Sequence, residues 1–206
     1  MAFDEMKIKR NDEIRQMAKK KTEAGDVKIF DFPGYAKFAY VEVDHQYVNA
    51  IQATAVQKER DHPGMHEYGK PGKYYFIVSQ MQPENWKILF ALHEYHEVMN
   101  GSHYQATQAE RKFAKKFGLW NDFLKSKTEM ARKMMSMHTL LKTTARRTTG
   151  KVFYPDLIQE IVNQTGLTRG EAQRAIKDIV KEQKTKRIML SHSGKRRFLM
   201  RRRGKK

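Results

Sequence analysis

Histidine and glutamate crowd one short stretch of this 206-residue chain, and they are its residues best suited to chemistry. Six of the eight histidines fall between His45 and His103; the densest run is His93-Glu94-Tyr95-His96-Glu97, with His103 and Glu110 beyond it. Imidazole nitrogens and carboxylate oxygens are the ligands zinc, manganese and iron take. On a helix His93 and Glu97 (i, i+4) share one face. In an antiparallel helical hairpin that face meets His103 and Glu110, so His93, Glu97, His103 and Glu110 form a candidate divalent-metal set. The metalloprotease pattern H-E-x-x-H needs histidine where Glu97 stands, and His96 at i+3 points aside, so protease chemistry is not carried over. With a metal bound, Glu94 would be the natural general base. The competing reading is an amphipathic helix with Trp86, Leu89, Phe90 and Val98 on its apolar side and histidines that only make hydrogen bonds. Met65-His66-Glu67-Tyr68 repeats the triplet in a Gly/Pro loop and is read as coincidence.

The elements that must position these residues follow from hydrophobic period and caps. Residues 4 to 20 read as an amphipathic helix closed by Gly25. Strands are expected at Val27 to Phe32 and Lys37 to Val43, with a Pro33-Gly34 turn between them. Residues 45 to 59 read as a helix and 61 to 72 as a loop. Lys73 to Ser79 (KYYFIVS) is the best strand, with Tyr74, Tyr75 and Phe76 as core rather than a stacking platform for single-stranded bases. Pro83 opens a helix that stops at Asn100-Gly101. Ser102, with Gln105 three residues on, caps the next, which ends near Phe117-Gly118. A methionine-rich helix spans about 121 to 142, its Met130, Met134, Met135 and Met137 serving as adaptable packing.

Charge divides the chain more sharply than hydropathy does. The net charge is +18, and from Lys142 onward 19 Lys and Arg face 5 Asp and Glu, a net of +14. Residues 1 to 141 hold the remaining 22 and 18, a net of +4. Excess positive charge at one end suits a polyanion partner. There are no cysteines, which excludes disulfides and thiol catalysis. No run of about 18 apolar residues is present to span a membrane, the N-terminus has no apolar signal region, and the expected location is cytoplasmic. No phosphate-binding glycine loop or nucleophile elbow appears.

The basic end carries its own pattern. Leu157, Ile158, Ile161 and Val162 have helical spacing, and Gly166 interrupts it. Thr168 and Glu171 form a capping box for a second helix with Ala172, Ala175, Ile176 and Ile179 on one face. Arg169, Gln173, Arg174 and Lys177 project elsewhere, as side chains that reach base edges or phosphates must. A β-hairpin follows, with Lys195, Arg196 and Arg197 near its tip and Arg201, Arg202 and Arg203 beyond.

NQTGLTRGEAQRAIKDIVKEQ followed by a basic hairpin resembles a winged helix-turn-helix domain over roughly a quarter of the chain. The resemblance implies a recognition helix from Thr168 to Lys181 and a wing from Ile188 to Met200. PDLIQEIVNQTGLTRGEAQRAIKDIV also resembles the first two helices of HU/IHF-type architectural proteins; the long DNA-embracing arms of that family are missing before Lys206. Both likenesses imply DNA.

The expected fold is α+β: a mainly helical domain with a small β-sheet over 1–142, with an αα-hairpin at 83–117, a linker at 143–151, and a small basic winged helix-turn-helix-like domain over 152–206. The expected function is a non-enzymatic regulatory or architectural protein that binds nucleic acid, duplex DNA first, and needs no cofactor. Its first domain would supply homodimer or partner contacts. Two alternatives stand beside it. One is a metal-dependent hydrolase of nucleic acid built on the His/Glu cluster. The other is an adaptor whose basic unit docks on an acidic protein surface of a transcription or replication machine.

Overall fold

A computed structural model of the chain describes residues 2–59, 67–144, 152–182, 188–193 and 196–201. It is an α+β protein that divides into two compact units, Met1–Phe123 and Leu124–Lys206.

The first unit is built on a four-stranded sheet. Helix α1 (Ala2–Glu23) ends before Gly25, whose φ of 73° is the left-handed conformation that glycine adopts without steric cost. Strands β1 (Lys28–Phe30) and β2 (Phe38–Val43) are antiparallel. Helix α2 (Gln46–Ile51) and strand β3 (Ala53–Gln57) then lead to β4 (Tyr74–Ser79). The sheet order is β1-β2-β4-β3, with β2 and β4 parallel and β3 antiparallel to β4.

Both faces of this sheet are covered, which explains the near-continuous apolar run of β4. Successive side chains of a strand point to opposite faces. Val41, Val43 and Ile77 meet Ile14 and Ala18 of α1, together with Val48 of α2 and Val56 of β3. On the other face Phe38 and Phe76 meet Tyr95 of helix α3 (Glu84–Asn100), at ring separations of 4.4 and 5.5 Å. Glu42, on the same side of β2, takes a hydrogen bond from Lys87 Nζ of α3 at 2.5 Å. Helix α4 (His103–Lys116) packs antiparallel-hairpin fashion after α3, as the caps predict. Gly101 has φ 62° and donates to Glu97 O, and the Ser102 hydroxyl accepts from Gln105 N at 3.3 Å. Phe113 of α4 seats the hairpin on the sheet edge, with Phe30, Phe32, Tyr35 and Phe117 around it.

Residues 45 to 59 are not one helix. The helix ends at Ile51, because Gln52 takes φ 76° and its N–H turns back to Val48 O at 2.6 Å. The following Ala-Thr-Ala-Val-Gln pairs with β4 from Ala53↔Val78 to Gln57↔Tyr74. Propensity alone reads this segment as helical; five ladder pairs and the burial of Ala53 and Val56 override it. In the expected loop, residues 60–66 lie outside the described residues and Pro71–Lys73 forms a 3₁₀ turn.

The division between the units falls within α5 (Trp120–Thr144), earlier than the linker expected at 143–151, most of which lies outside the described residues. The second unit continues with β5 (Val152–Phe153), α6 (Tyr154–Thr165), α7 (Arg169–Glu182), β6 (Ile188–Ser193) and β7 (Arg196–Arg201). Its three strands are antiparallel in the order β5-β7-β6. Leu157, Ile158, Ile161 and Leu167 are buried with Ala172, Ala175, Ile176 and Ile179, so the apolar stripes of α6 and α7 form this unit's core. The turn between them is closed by Thr165, whose hydroxyl donates to Ile161 O at 2.6 Å and accepts from Leu167 N at 3.3 Å. Among the described residues no helix is long and apolar enough to cross a membrane.

Candidate functional site

Two constellations, one in each unit, carry the chemistry. In the first unit the hairpin α3–α4 brings His93, Glu97, His103 and Glu110 together. His93 and Glu97 are one turn apart on α3, and the Gly101-Ser102 connection delivers His103 as the first residue of α4. His93 Nε2 lies 3.0 Å from His103 Nδ1 and 3.4 Å from Glu97 Oε2, and His103 Nδ1 lies 3.5 Å from the same Glu97 oxygen. Glu110, fully buried two turns into α4, faces the other side of the ring: its Oε2 is 3.0 Å from His93 Nδ1. Three potential ligand atoms therefore lie within 3.5 Å of one another, and the fourth candidate sits behind His93. The spacing of residues places all four on facing helices; which imidazole nitrogen meets which carboxylate depends on side-chain torsions that spacing does not contain.

Electrostatics suits this arrangement. Hydrogen bonding to His103, then to His93, holds the Glu97 carboxyl well below the usual carboxylate range. Burial, followed by the proximity of His93, lowers the pKa of His96. The converging group is His93, Glu97 and His103; Glu94 is half-buried on the adjacent helix position and does not belong to it. Of the expected apolar side of α3, Leu89, Phe90 and Val98 are buried, and Trp86 is half-buried.

The Tyr74-Tyr75-Phe76 run lies in the sheet, with Tyr74 and Phe76 buried. Beside it an open recess of about 290 Å³ is lined by Lys37, Phe38, Tyr40, Lys58, Tyr75 and Tyr95 among others, a feature no local motif announces.

In the second unit α7 presents the basic face. Its N-terminus is closed by the expected capping box: Thr168 N donates to Glu171 Oε2 at 2.7 Å, and Glu171 N donates to Thr168 Oγ1 at 3.3 Å. Arg169, Arg174 and Lys177 are exposed and Gln173 is half-buried, opposite the buried Ala172, Ala175, Ile176 and Ile179. Lys181, exposed at the last turn, extends the same cationic surface and was absent from the expected set. Arg196, Arg197 and Arg201 stand on β7, paired in register with Ser193, His192 and Ile188. Lys195, Arg202 and Arg203 lie outside the described residues. Near its C-terminus α7 is tied to α5 by Glu182, which accepts from Arg132 at 2.6 Å.

No protein-family model, no curated protein and no solved structure matches the chain.

Proposed function

We propose that this protein binds nucleic acid, duplex DNA before other forms, through a winged helix-turn-helix in its C-terminal unit. The observation that carries the reading is α7 itself: Arg169, Arg174 and Lys177 exposed along one side of a capped helix whose other side is buried. In helix-turn-helix proteins the second helix lies in the major groove, where long cationic side chains reach phosphates and guanine edges. The surroundings of α7 support the assignment. A short turn joins it to α6, and a hairpin, β6–β7, follows it with β5 added at the β7 edge. On this reading α7 is the recognition helix and β6–β7 the wing, with Arg196 and Arg197 at its turn. The net charge of +14 after residue 141 supplies the long-range attraction.

Fluorescence anisotropy of the full chain with labelled duplex DNA, single-stranded DNA and RNA, over a range of salt concentrations, tests it. With about six phosphates neutralised, log K falls against log salt with a slope of roughly −5. The combined substitution Arg169→Gln, Arg174→Gln and Lys177→Gln weakens duplex binding and makes the slope shallower by about 2.7, at about 0.9 per lost phosphate contact. An unchanged affinity and slope in that variant would remove α7 from the interface. A preference for an acidic protein over every nucleic acid offered would favour the adaptor reading instead.

A further inference from the structure

The histidine cluster in the first unit plays no part in nucleic-acid binding as proposed, yet its geometry is that of a ligand set. Donor atoms bound tetrahedrally to a cation at about 2.0–2.1 Å stand about 3.3 Å from one another. The three separations among His93 Nε2, His103 Nδ1 and Glu97 Oε2 are 3.0, 3.4 and 3.5 Å. A point about 1.9 Å from each of the three exists in their plane, so an ion at ordinary zinc–ligand distances sits roughly 0.7 Å above that plane, as in a tetrahedral site.

The surroundings complete the pattern. A ligating histidine commonly donates its other ring N–H to a carboxylate, which sets the tautomer and aims the ligating nitrogen. Glu110 is placed to do this. Its Oε2 lies 3.0 Å from His93 Nδ1; with that carboxylate accepting a proton from Nδ1, Nε2, which faces Glu97 and His103, is the nitrogen left to bind a metal. Ligand charge is also suitable: two imidazoles and one carboxylate around a divalent ion leave one positive charge, and the carboxyl group of the buried Glu110 stands next to it. The His103 and Glu97 side chains are 37% and 43% exposed, so the fourth position opens toward solvent.

We propose that His93, Glu97 and His103 bind one divalent transition-metal ion, zinc(II) foremost, through His93 Nε2, Glu97 Oε2 and His103 Nδ1. Glu110 is the positioning residue that holds His93, and water fills the remaining position. The ion bridges α3 and α4 across the Gly101-Ser102 turn and locks the hairpin. This inference is independent of the nucleic-acid reading and survives its failure.

The test uses the untagged full chain. Zinc(II) titrated into chelator-stripped protein binds with one-to-one stoichiometry by calorimetry, and the loaded protein retains one equivalent after gel filtration. Cobalt(II) in its place gives the intense visible absorption of a tetrahedral ion. Because His103 is partly exposed at a helix start, His103→Ala folds like the parent by circular dichroism and loses at least tenfold in zinc affinity along with the cobalt spectrum. Glu97→Gln behaves the same way. Glu110→Gln keeps all three ligands but weakens zinc by about 10- to 100-fold, as loss of an orienting partner does. Absence of stoichiometric zinc in the parent, or undiminished zinc affinity in both folded His103→Ala and Glu97→Gln, overturns the site. Full zinc affinity in Glu110→Gln overturns the positioning role.

Discussion

Replacing Phe113 by alanine unseats the helix that carries His103 and Glu110, and its cost follows from the packing around one ring. Phe113 is fully buried. Its ring lies 5.4 Å from Phe30, 4.9 Å from Phe32, 5.0 Å from Tyr35 and 4.6 Å from Phe117, so residues of β1, the following loop and the C-cap of α4 all meet on it. Truncating a buried phenylalanine to alanine costs about 3–5 kcal/mol, and each lost aromatic pair adds roughly 0.5–1.5 kcal/mol beyond burial, which places this site near the upper end. A domain is stable by about 5–15 kcal/mol, so the loss is a large share of the total. Both tryptophans, Trp86 and Trp120, belong to the same unit, so their fluorescence in urea reports its unfolding. With a urea slope of about 2 kcal/mol/M, the midpoint falls by about 2 M. Phe113→Leu keeps most of the buried apolar volume but loses the ring pairs, so it costs less than Phe113→Ala without being neutral. If Phe113→Ala costs less than about 1 kcal/mol, or if leucine is as damaging as alanine, the hairpin is held by something other than this cluster.

Two other perturbations have outcomes that the structure sets. Thr168→Ala opens the capping box of α7 and costs about 1 kcal/mol, read as faster amide exchange in the first turn of α7; unaltered exchange there would mean the cap contributes nothing. Burial first, and then the negative charges of Glu84 and Glu42, push the Tyr40 phenol from its ordinary 10.0 up to about 12. The folded state therefore holds a proton that the unfolded chain gives up sooner. The stabilising contribution is complete below pH 10 and is lost as pH rises toward about 12. Urea midpoints measured across that window decline in the parent and decline less in Tyr40→Phe; parallel declines would show that Tyr40 does not titrate late.

Most of the helices were legible because their signals are local. A cap, a 3.6-residue apolar period and a terminal glycine all lie within a few residues of what they specify, as at Ser102, Gly101 and the Thr168–Glu171 box. The strand over Ala53–Gln57 was not legible. Its Ala-Thr-Ala-Val-Gln sequence mixes the strand formers Thr54 and Val56 with the helix-favouring Ala53 and Ala55, and its state depends on pairing with Tyr74–Val78 some twenty residues away. The aromatic recess beside β2 and β4 was hidden for the same reason, since its walls come from α1, those two strands, the segments flanking them and α3.

Taken alone, the residues determined that one end of the chain is strongly cationic, that a capped helix there has an apolar side and a basic side, and that His93, Glu97, His103 and Glu110 belong to one helical hairpin. Period, caps and charge are properties of neighbouring residues, so no folded context is needed to state them. Only the tertiary structure decided that Glu110 stands behind His93 while Glu97 and His103 stand before it. In the proposed metal site that distinction would separate a positioning carboxylate from a ligand. It arises from how two helices pack and which rotamers the packing admits, and both are set by the sheet and the aromatic cluster beneath them.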